Sequence, residues 1–479
     1  MSITQLFTSP VSAVNVGAAM FGEHLAGQGA RVTHLDWTPP GGGQPAVVDA
    51  LRRLSAPEVA ERVEAANALA VERIISSQPV LVGYDRALDV VPGMTPTTIL
   101  HAGPPIEYPR MAGAMKGAVT GALVFEGLAA TVQEADALAR SGEITFAPCH
   151  EHQAVGSMAG VTSASMFVHV VENRPYGNYA YTNLSEQLAK ILRMGANDQS
   201  VIDRLVWMRD VFGPVLREAM QSAGEIDLRM MLAQALHMGD EAHNRNNAGT
   251  LLLIQALTPH ILETSFSTAD KKAVFEFVAL SDYFSGPTWM VTAKAAMDAA
   301  HGIPDSTVVT AMCRNGVDFG IRVSGLGDQW FTGPAQRVVG PLFAGYKVED
   351  SGLDIGDSAI TETYGIGGFA MAAAPAIVPL VGGTVPEAID YSRTMLEITT
   401  TTNPNLTLPL LDFRGVATGI DVRKVEETGL LPVINTAIAH KEAGIGMIGA
   451  GITHPPLEAF HAATTALADR LAPVEGEAR

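Results

Sequence analysis

The first readable pattern begins at Ala13, where the apolar run 13–17 leads into a helical spacing over residues 20–28. Gly29 stops that helix, and residues 31–35 read as a second strand ending in Asp36-Trp37. Strand, helix and strand in so short a span is the signature of a βαβ crossover, which chain chirality makes right-handed. The turn Val16-Gly17-Ala18-Ala19-Met20-Phe21-Gly22 lacks the full glycine triplet of a dinucleotide site. It therefore supports a Rossmann-like fold and no specific nucleotide. The helix N-terminus there could hold a phosphate or carboxylate, or serve packing alone.

Beyond the breaker cluster Pro39-Pro40-Gly41-Gly42-Gly43, residues 47–77 carry a helical pattern, and 80–82 and 97–100 read as short strands. Residues 111–130 are rich in small side chains. Gly113, Gly117 and Gly121 share one helical face and let another backbone approach it closely. Residues 184–262 repeat apolar positions at helical spacing, and 271–300 continue in helices broken at Ser285-Gly286-Pro287. The character changes at 307–323, where two strand-like runs flank Arg314-Asn315-Gly316, a hairpin signal. Residues 354–383 are Gly- and Ala-rich with few charges, and the charged tail after Leu471 reads as frayed. These patterns predict an α/β, multidomain chain: a Rossmann-like βαβ domain over 1–100 and a mixed α/β segment over 101–183. A mainly helical domain over 184–305 and a mixed α/β, Gly-rich domain over 306–479 follow.

Composition narrows the class. At 479 residues the chain exceeds what one core usually supports. A formal net charge of −19 argues against nucleic acid as a partner, since phosphate contacts need clustered Lys and Arg. No window is long and apolar enough for a membrane span, and the N-terminus shows no basic and apolar leader. Cys149 and Cys313 are too few for a disulfide framework and fit a reducing compartment, so the expected location is cytoplasmic.

Four polar constellations interrupt apolar sequence, where a buried polar group needs a partner. His101-Ala102-Gly103-Pro104-Pro105, followed by Glu107 and Arg110, can present N–H groups and a cation to an anion, or form a rigid loop. Pro148-Cys149-His150-Glu151-His152 invites a zinc reading. Alternation along an extended segment keeps its four side chains from converging, however, and no second metal pair completes a set. No metal and no cofactor is expected; His150 and His152 instead read as hydrogen-bond donors or proton carriers, or as satisfied core residues. The run from His237 to Asn247 is the densest. On a continuous helix His237 and Glu241 share a face, as do Asp240, His243 or Asn244, and Asn247, which suits a binding or catalytic helix better than a solvated face. Residues 354–363, with Asp354, Asp357, Ser358, Thr361 and Glu362, suit a substrate loop or the cap of the next helix. Arg314, Arg322, Arg414 and the His440-Lys441 pair are candidate cations for a carboxylate or phosphate.

Seven segments then carry a resemblance: GPPIEYPRMAGAMKGA, PCHEHQAVGSMAGV, LHMGDEAHNRN, RNGVDFGIRVSG, DIGDSAITETYGIGGFAMAAAPAI, GIDVRKV and INTAIAHKEAGIGMIGAG. In these, and in their order over nearly the whole chain, the protein resembles the bacterial YlbE/YahG-like family. The family implies partners similar to FdrA, whose fold resembles the subunits of succinyl-CoA synthetase, together with a further small subunit, in an oligomeric complex. It also implies an activity in anaerobic allantoin use: oxamate carbamoyltransferase, interconverting oxalurate plus phosphate with oxamate plus carbamoyl phosphate. On this reading His237 or His243 moves a proton to the leaving nitrogen, with Asp240 or Glu241 orienting it. Arg245, Asn246 and Asn247 hold the substrate carboxylate or carbonyl, and Arg314 or Arg322 the phosphate. His150, His152, Gly103, Asp357 and Glu362 complete the expected substrate contacts. Two other classes stay open: an ATP- or CoA-dependent ligase or amidase acting on ureido or cyclic amide compounds, which the partners' kinship to succinyl-CoA synthetase implies, and a non-catalytic assembly subunit.

Overall fold

The computed structural model describes residues 11–35, 39–187, 190–280 and 282–472. The tail from Pro473 onward and Asp36-Trp37 lie outside the described residues.

The N-terminal crossover forms as the pattern requires. Strands Ser12–Val16 and Arg31–Leu35 pair in parallel, from Ser12 opposite Arg31 to Val16 opposite Leu35, with helix Ala19–Gly27 between them. Gly17 (φ 100°) and Gly29 (φ 84°) make the two turns in left-handed backbone that glycine adopts without strain. Among the described residues, however, the sheet stops at these two strands. The Rossmann-like domain expected over 1–100 is thus reduced to one βαβ unit, because the chain that follows is drawn elsewhere. Helices Pro45–Leu54 and Pro57–Ser76, each starting at a proline whose missing N–H costs nothing there, pack on the C-terminal part of the protein. Ala50, Leu54, Val59 and Val63 share a core with Phe460, Ala463 and Leu467 of helix Leu457–Leu471.

Two sheets organise the middle of the chain. Strands Pro79–Arg86, Phe167–Asn173 and Asn178–Asn183 run antiparallel at the centre of a five-stranded sheet. In a three-stranded sheet Thr98–His101 lies parallel to Thr145–Pro148, with His101 directly opposite Pro148. That register makes the loops beginning at Ala102 and Cys149 leave the sheet side by side. Helix Gly113–Phe125 carries the glycine stripe, and the approach it permits occurs: a Cβ on Gly117 would sit 2.3 Å from the Gly195 carbonyl oxygen.

Helix Gly286–Ala299 is the central rod. All its residues but Asp298 are buried, and it touches the five-stranded sheet, helix Pro57–Ser76, helix Leu228–His237 and helix Ile360–Tyr364. The predicted hairpin is present as strands Val309–Asn315 and Asp318–Val323, turning at Gly316 (φ 83°). A short strand, Ile355–Gly356, adds to its edge with Arg314 opposite Gly356. Through this pairing the segment that follows, from Asp357 to Gly368, threads into the interior, every residue of it buried.

Candidate active site

The stretch expected to be one helix from His237 to Asn247 is instead two helices and a loop. Helix Leu228–His237 ends, residues 238–246 turn inward, and helix Asn247–Glu263 begins. Left-handed backbone at Gly239 (φ 99°) and Ala242 (φ 68°) breaks the helical path. The break separates residues that helical spacing would have grouped. His237 stays at the surface, bonded to Thr407 Oγ1 (2.8 Å) and edge-on to Phe413, whereas Asp240, Glu241, His243 and Asn246 are buried.

His243 sits in an acidic cage. Its Nδ1 lies 2.7 Å from Glu362 Oε1 and 3.2 Å from Thr361 Oγ1. Glu362 also accepts the Gly368 N–H at 2.8 Å and the Thr361 hydroxyl at 2.9 Å. Gly367 (φ 62°) is required beside it: a Cβ there would fall 2.2 Å from Glu362 Oε1. Glu241 accepts the backbone N–H groups of His243 (2.8 Å) and Arg245 (2.5 Å). Its complete burial, against the opposing pull of His243, pushes its pKa up to about 7. Asp240 has a different task. Its carboxylate accepts the Gly249 N–H at 2.8 Å at the start of helix Asn247–Glu263, where the orphan N–H groups and the helix dipole favour an anion. Burial raises its pKa. Arg245 donates to the Gly239 carbonyl, Asn246 to the His243 carbonyl and Asn247 to Asp282, so these three hold the loop in shape.

Beside this cage opens a cleft of about 330 Å³, lined among others by Met158, Gln187, Arg193, Asn244, Tyr283 and Met447. Several of its polar atoms are buried without a hydrogen-bond partner among the described residues: both side-chain atoms of Gln187, Nδ2 of Asn244 and Nε of Arg193. Such atoms are costly unless something else bonds them, which makes them the strongest mark of a ligand site here. Arg193 is braced by Ser157 Oγ (3.1 Å) and lies 5.2 Å from the Tyr283 ring centre. Tyr283 senses the charges of Arg193, Glu241 and Glu362, which ties the cleft to the cage; burial raises its pKa. Met158 and Gln187 both hold left-handed backbone (φ 55° and 65°), strain of a kind that collects at functional sites. Hollows of about 710 and 770 Å³ elsewhere are larger, but among the described residues no unpartnered buried polar atom lines either of them.

A second buried cluster forms where the two parallel-strand loops meet the Asp354–Asp357 turn. Asp357 accepts the Gly103 N–H at 2.7 Å and the Gly156 N–H at 2.8 Å, and burial pushes its pKa up to about 7. The anion that Gly103 greets is thus the protein's own. His150 Nε2 is 3.8 Å from Asp357, and neither ring nitrogen of His150 has a hydrogen-bond partner among the described residues. Burial drives its pKa well down, while burial and the Asp357 charge drive that of Cys313 well up. His152 turns away and bonds the Pro92 carbonyl (2.6 Å).

The arginines expected at a phosphate are engaged inside the protein. Arg314 is fully buried, paired in two-pronged fashion with Asp354 (2.6 and 2.8 Å). Its remaining N–H groups go to the Gly356 carbonyl, Ser358 and Thr436, so all five are spent. Arg322 stacks over Trp330 at 4.4 Å, with Glu151 and Asp328 at 3.6 and 3.4 Å. The residues that sequence reasoning missed, Gln187, Arg193 and Tyr283, carried one weak signal: Arg193 is a lone cation inside the apolar run 191–194.

Comparison with known proteins gives this geometry its context. Residues 144–358, which include His150, Arg314, Arg322 and Asp357, match the family described as oxamate carbamoyltransferase subunit AllG. The Escherichia coli K12 protein YahG is 69% identical over 97% of this chain and 98% of its own length. Oxamate carbamoyltransferase subunit AllG of the same organism is 46% identical over 85% of this chain and 98% of its own. The chain belongs to the YahG/AllG family. A crystal structure of a conserved protein of unknown function from Enterococcus faecalis V583 matches with a TM-score of 0.85 and 69% identity, covering 86% of this chain and 99% of that one. Both AllG and the Enterococcus chain align with about six-sevenths of the present sequence. Among the described residues no helix is long and apolar enough to cross a membrane.

Proposed function

We propose that this chain is the large subunit of a carbamoyltransferase that converts an oxalurate-like ureido acid and phosphate into an oxamate-like amide and carbamoyl phosphate. The observation that carries the reading is the cleft beside the His243–Glu362 pair, where both side-chain atoms of Gln187, Nδ2 of Asn244 and Nε of Arg193 are buried with no partner among the described residues, in a relative of an oxamate carbamoyltransferase subunit. A ureido acid offers two carboxamide edges and a carboxylate. Gln187 and Asn244 match the amide edges, and the Arg193 guanidinium matches the carboxylate.

In the forward direction a phosphate oxygen attacks the ureido carbonyl. The C–N bond then breaks, and the leaving nitrogen takes a proton to become the amide of the product. The imidazole of His243 supplies that proton and Glu362 fixes its orientation, the pairing by which a carboxylate holds a histidine in one tautomer. Glu241, poised near neutrality, takes up the proton that hydrogen phosphate loses on attack, so the proton given to the leaving nitrogen is replaced and none is gained or lost overall. His237, at the surface beside Thr407, has no part in this scheme, and Asp240 supports the loop. Phosphate enters with its own contacts in the assembled complex with an FdrA-like and a further small subunit in the cytoplasm.

The test is product formation from a panel of ureido acids, led by oxalurate, by this chain co-expressed with its genomic neighbours. Carbamoyl phosphate formed only when phosphate is present supports the reading. Turnover that demands ATP or CoA points to a ligase, and cleavage indifferent to phosphate points to an amidase; either result removes the transferase proposal.

A further inference from the structure

His150, Cys313 and Asp357 come from three segments far apart in sequence, and each offers one ligand atom to the same buried point: the three atoms lie within 4.8 Å of one another. We infer that this point is a zinc site, with His150 nitrogen, Cys313 sulfur and an Asp357 oxygen as its protein ligands. The inference is independent of the carbamoyl-transfer reading.

Two observations carry it. The first is the donor set. Imidazole, thiolate and carboxylate together suit a borderline-soft divalent ion, and three protein ligands with a fourth place left to water or a bound molecule is a usual zinc arrangement. Tetrahedral bonds of ~2.0–2.3 Å need ligand atoms roughly 3.5 Å apart, so side-chain adjustments of about an ångström close the set. The second is His150 itself. Its side chain is fully buried, neither ring nitrogen has a hydrogen-bond partner among the described residues, and Nε2 lies 3.8 Å from Asp357. The ring packs edge-on against Trp330 at 5.9 Å, but its nitrogens have no hydrogen-bond partner among the described residues, and a metal ion would supply one.

The supporting frame is rigid. Both Asp357 oxygens already accept a backbone N–H, from Gly103 and Gly156, the sort of outer contact that orients a ligating carboxylate. Gly103 (φ 85°) is packed so tightly that a Cβ would meet the Asn315 nitrogen at 2.4 Å. Of the neighbouring cations, Lys294 is paired with Asp298 at 2.7 Å, and Arg322 has Glu151 and Asp328 at 3.6 and 3.4 Å. A Cys313 thiolate and the Asp357 carboxylate would each offer the dication a negatively charged ligand. The Cys149-His150-Glu151-His152 run does not act as a set. One member of it contributes, and its co-ligands Cys313 and Asp357 flank the strand pairing Arg314–Gly356.

The full-length chain, purified without chelator, is expected to carry about one zinc per chain by elemental analysis. Exchanged for cobalt(II), it is expected to show a near-ultraviolet thiolate-to-cobalt band. The chain has two cysteines, so the band assigns its own ligand: Cys149→Ser keeps it, while Cys313→Ser abolishes it and His150→Ala lowers metal occupancy at least tenfold. If Cys313→Ser fails to fold, retention of the band in folded Cys149→Ser makes the same assignment. Absence of both co-purified zinc and a cobalt–thiolate band in the wild-type chain overturns the site, as does loss of the band in folded Cys149→Ser.

Discussion

His243 Nδ1 and Glu362 Oε1 stand 2.7 Å apart although 119 residues separate them in sequence, and both side chains are shut away from solvent. That contact joins the loop 238–246 to the buried segment after Ile355–Gly356. It is therefore the point at which the helical and C-terminal parts of the chain share one chemical unit. Replacing His243 by Ala is expected to lower kcat by ~10²–10⁴ in the assembled complex, the range for a lost acid–base group. His237→Ala, altering a surface histidine, is expected to leave kcat within a factor of about two of wild type. Equal losses in the two variants would dismiss the division of roles between these histidines.

Glu241 makes stability depend on pH in a definite direction. Its folded pKa lies near 7, above the ordinary carboxylate value of 4.5, so the native state binds more protons than the unfolded state between those values. Stability therefore falls as pH rises through that window and levels off above it. The ceiling is ~3 kcal/mol, since each pH unit between the unfolded and folded values contributes ~1.4 kcal/mol. Denaturant titrations from pH 5 to 8 should show this slope in the wild type and a flatter one in Glu241→Gln. The same slope in both proteins would mean that another group is responsible.

Arg193 and Gln187 are assigned to binding, and binding has its own kinetic signature. Arg193→Ala and Gln187→Ala are each expected to raise KM for the ureido acid about 10-fold or more while kcat changes little, since one hydrogen bond to a charged or amide group is worth ~1–3 kcal/mol. Unchanged KM in both variants would place the substrate elsewhere.

Gly367→Ala tests the cage by sterics alone. The new Cβ meets Glu362 Oε1 at 2.2 Å and forces alanine to φ 62°, so a loss of ~2–4 kcal/mol and reduced activity are expected. A variant of wild-type melting temperature would show that Glu362 is free to move.

Arg314→Lys separates structure from phosphate binding. Lysine cannot reproduce the paired bonds to Asp354 or the other three donations, and a buried pair broken in this way costs ~3–5 kcal/mol. Loss of soluble protein is expected. A well-folded variant with only a raised KM for phosphate would restore the role first expected of this arginine.

Much of the fold was legible in local pattern. The N-terminal crossover, the hairpin turning at Gly316 and the glycine face at 113–121 all follow from periodicity and from what glycine permits. The loop 238–246 was not legible, because its polar residues keep helical spacing while two left-handed residues, Gly239 and Ala242, turn the backbone aside. Glu241, His243 and Glu362 were recognisable as chemistry-bearing residues, but their meeting depends on long-range pairing that spacing does not encode. For the same reason His150 looked incomplete as a metal ligand: Cys313 and Asp357 reach it only through strand register. Gln187 escaped notice because a single glutamine carries no motif; its significance lies in being buried with no partner among the described residues.

The role of His243 is decided by carbamoyl phosphate formation from oxalurate and phosphate by the co-expressed complex, with the wild-type chain and with His243→Ala. Product is expected with wild type, none without phosphate, and at least a hundredfold less with the variant at equal complex yield. Full product formation by the variant complex would rule out His243 as the proton donor and move the chemistry to a partner subunit.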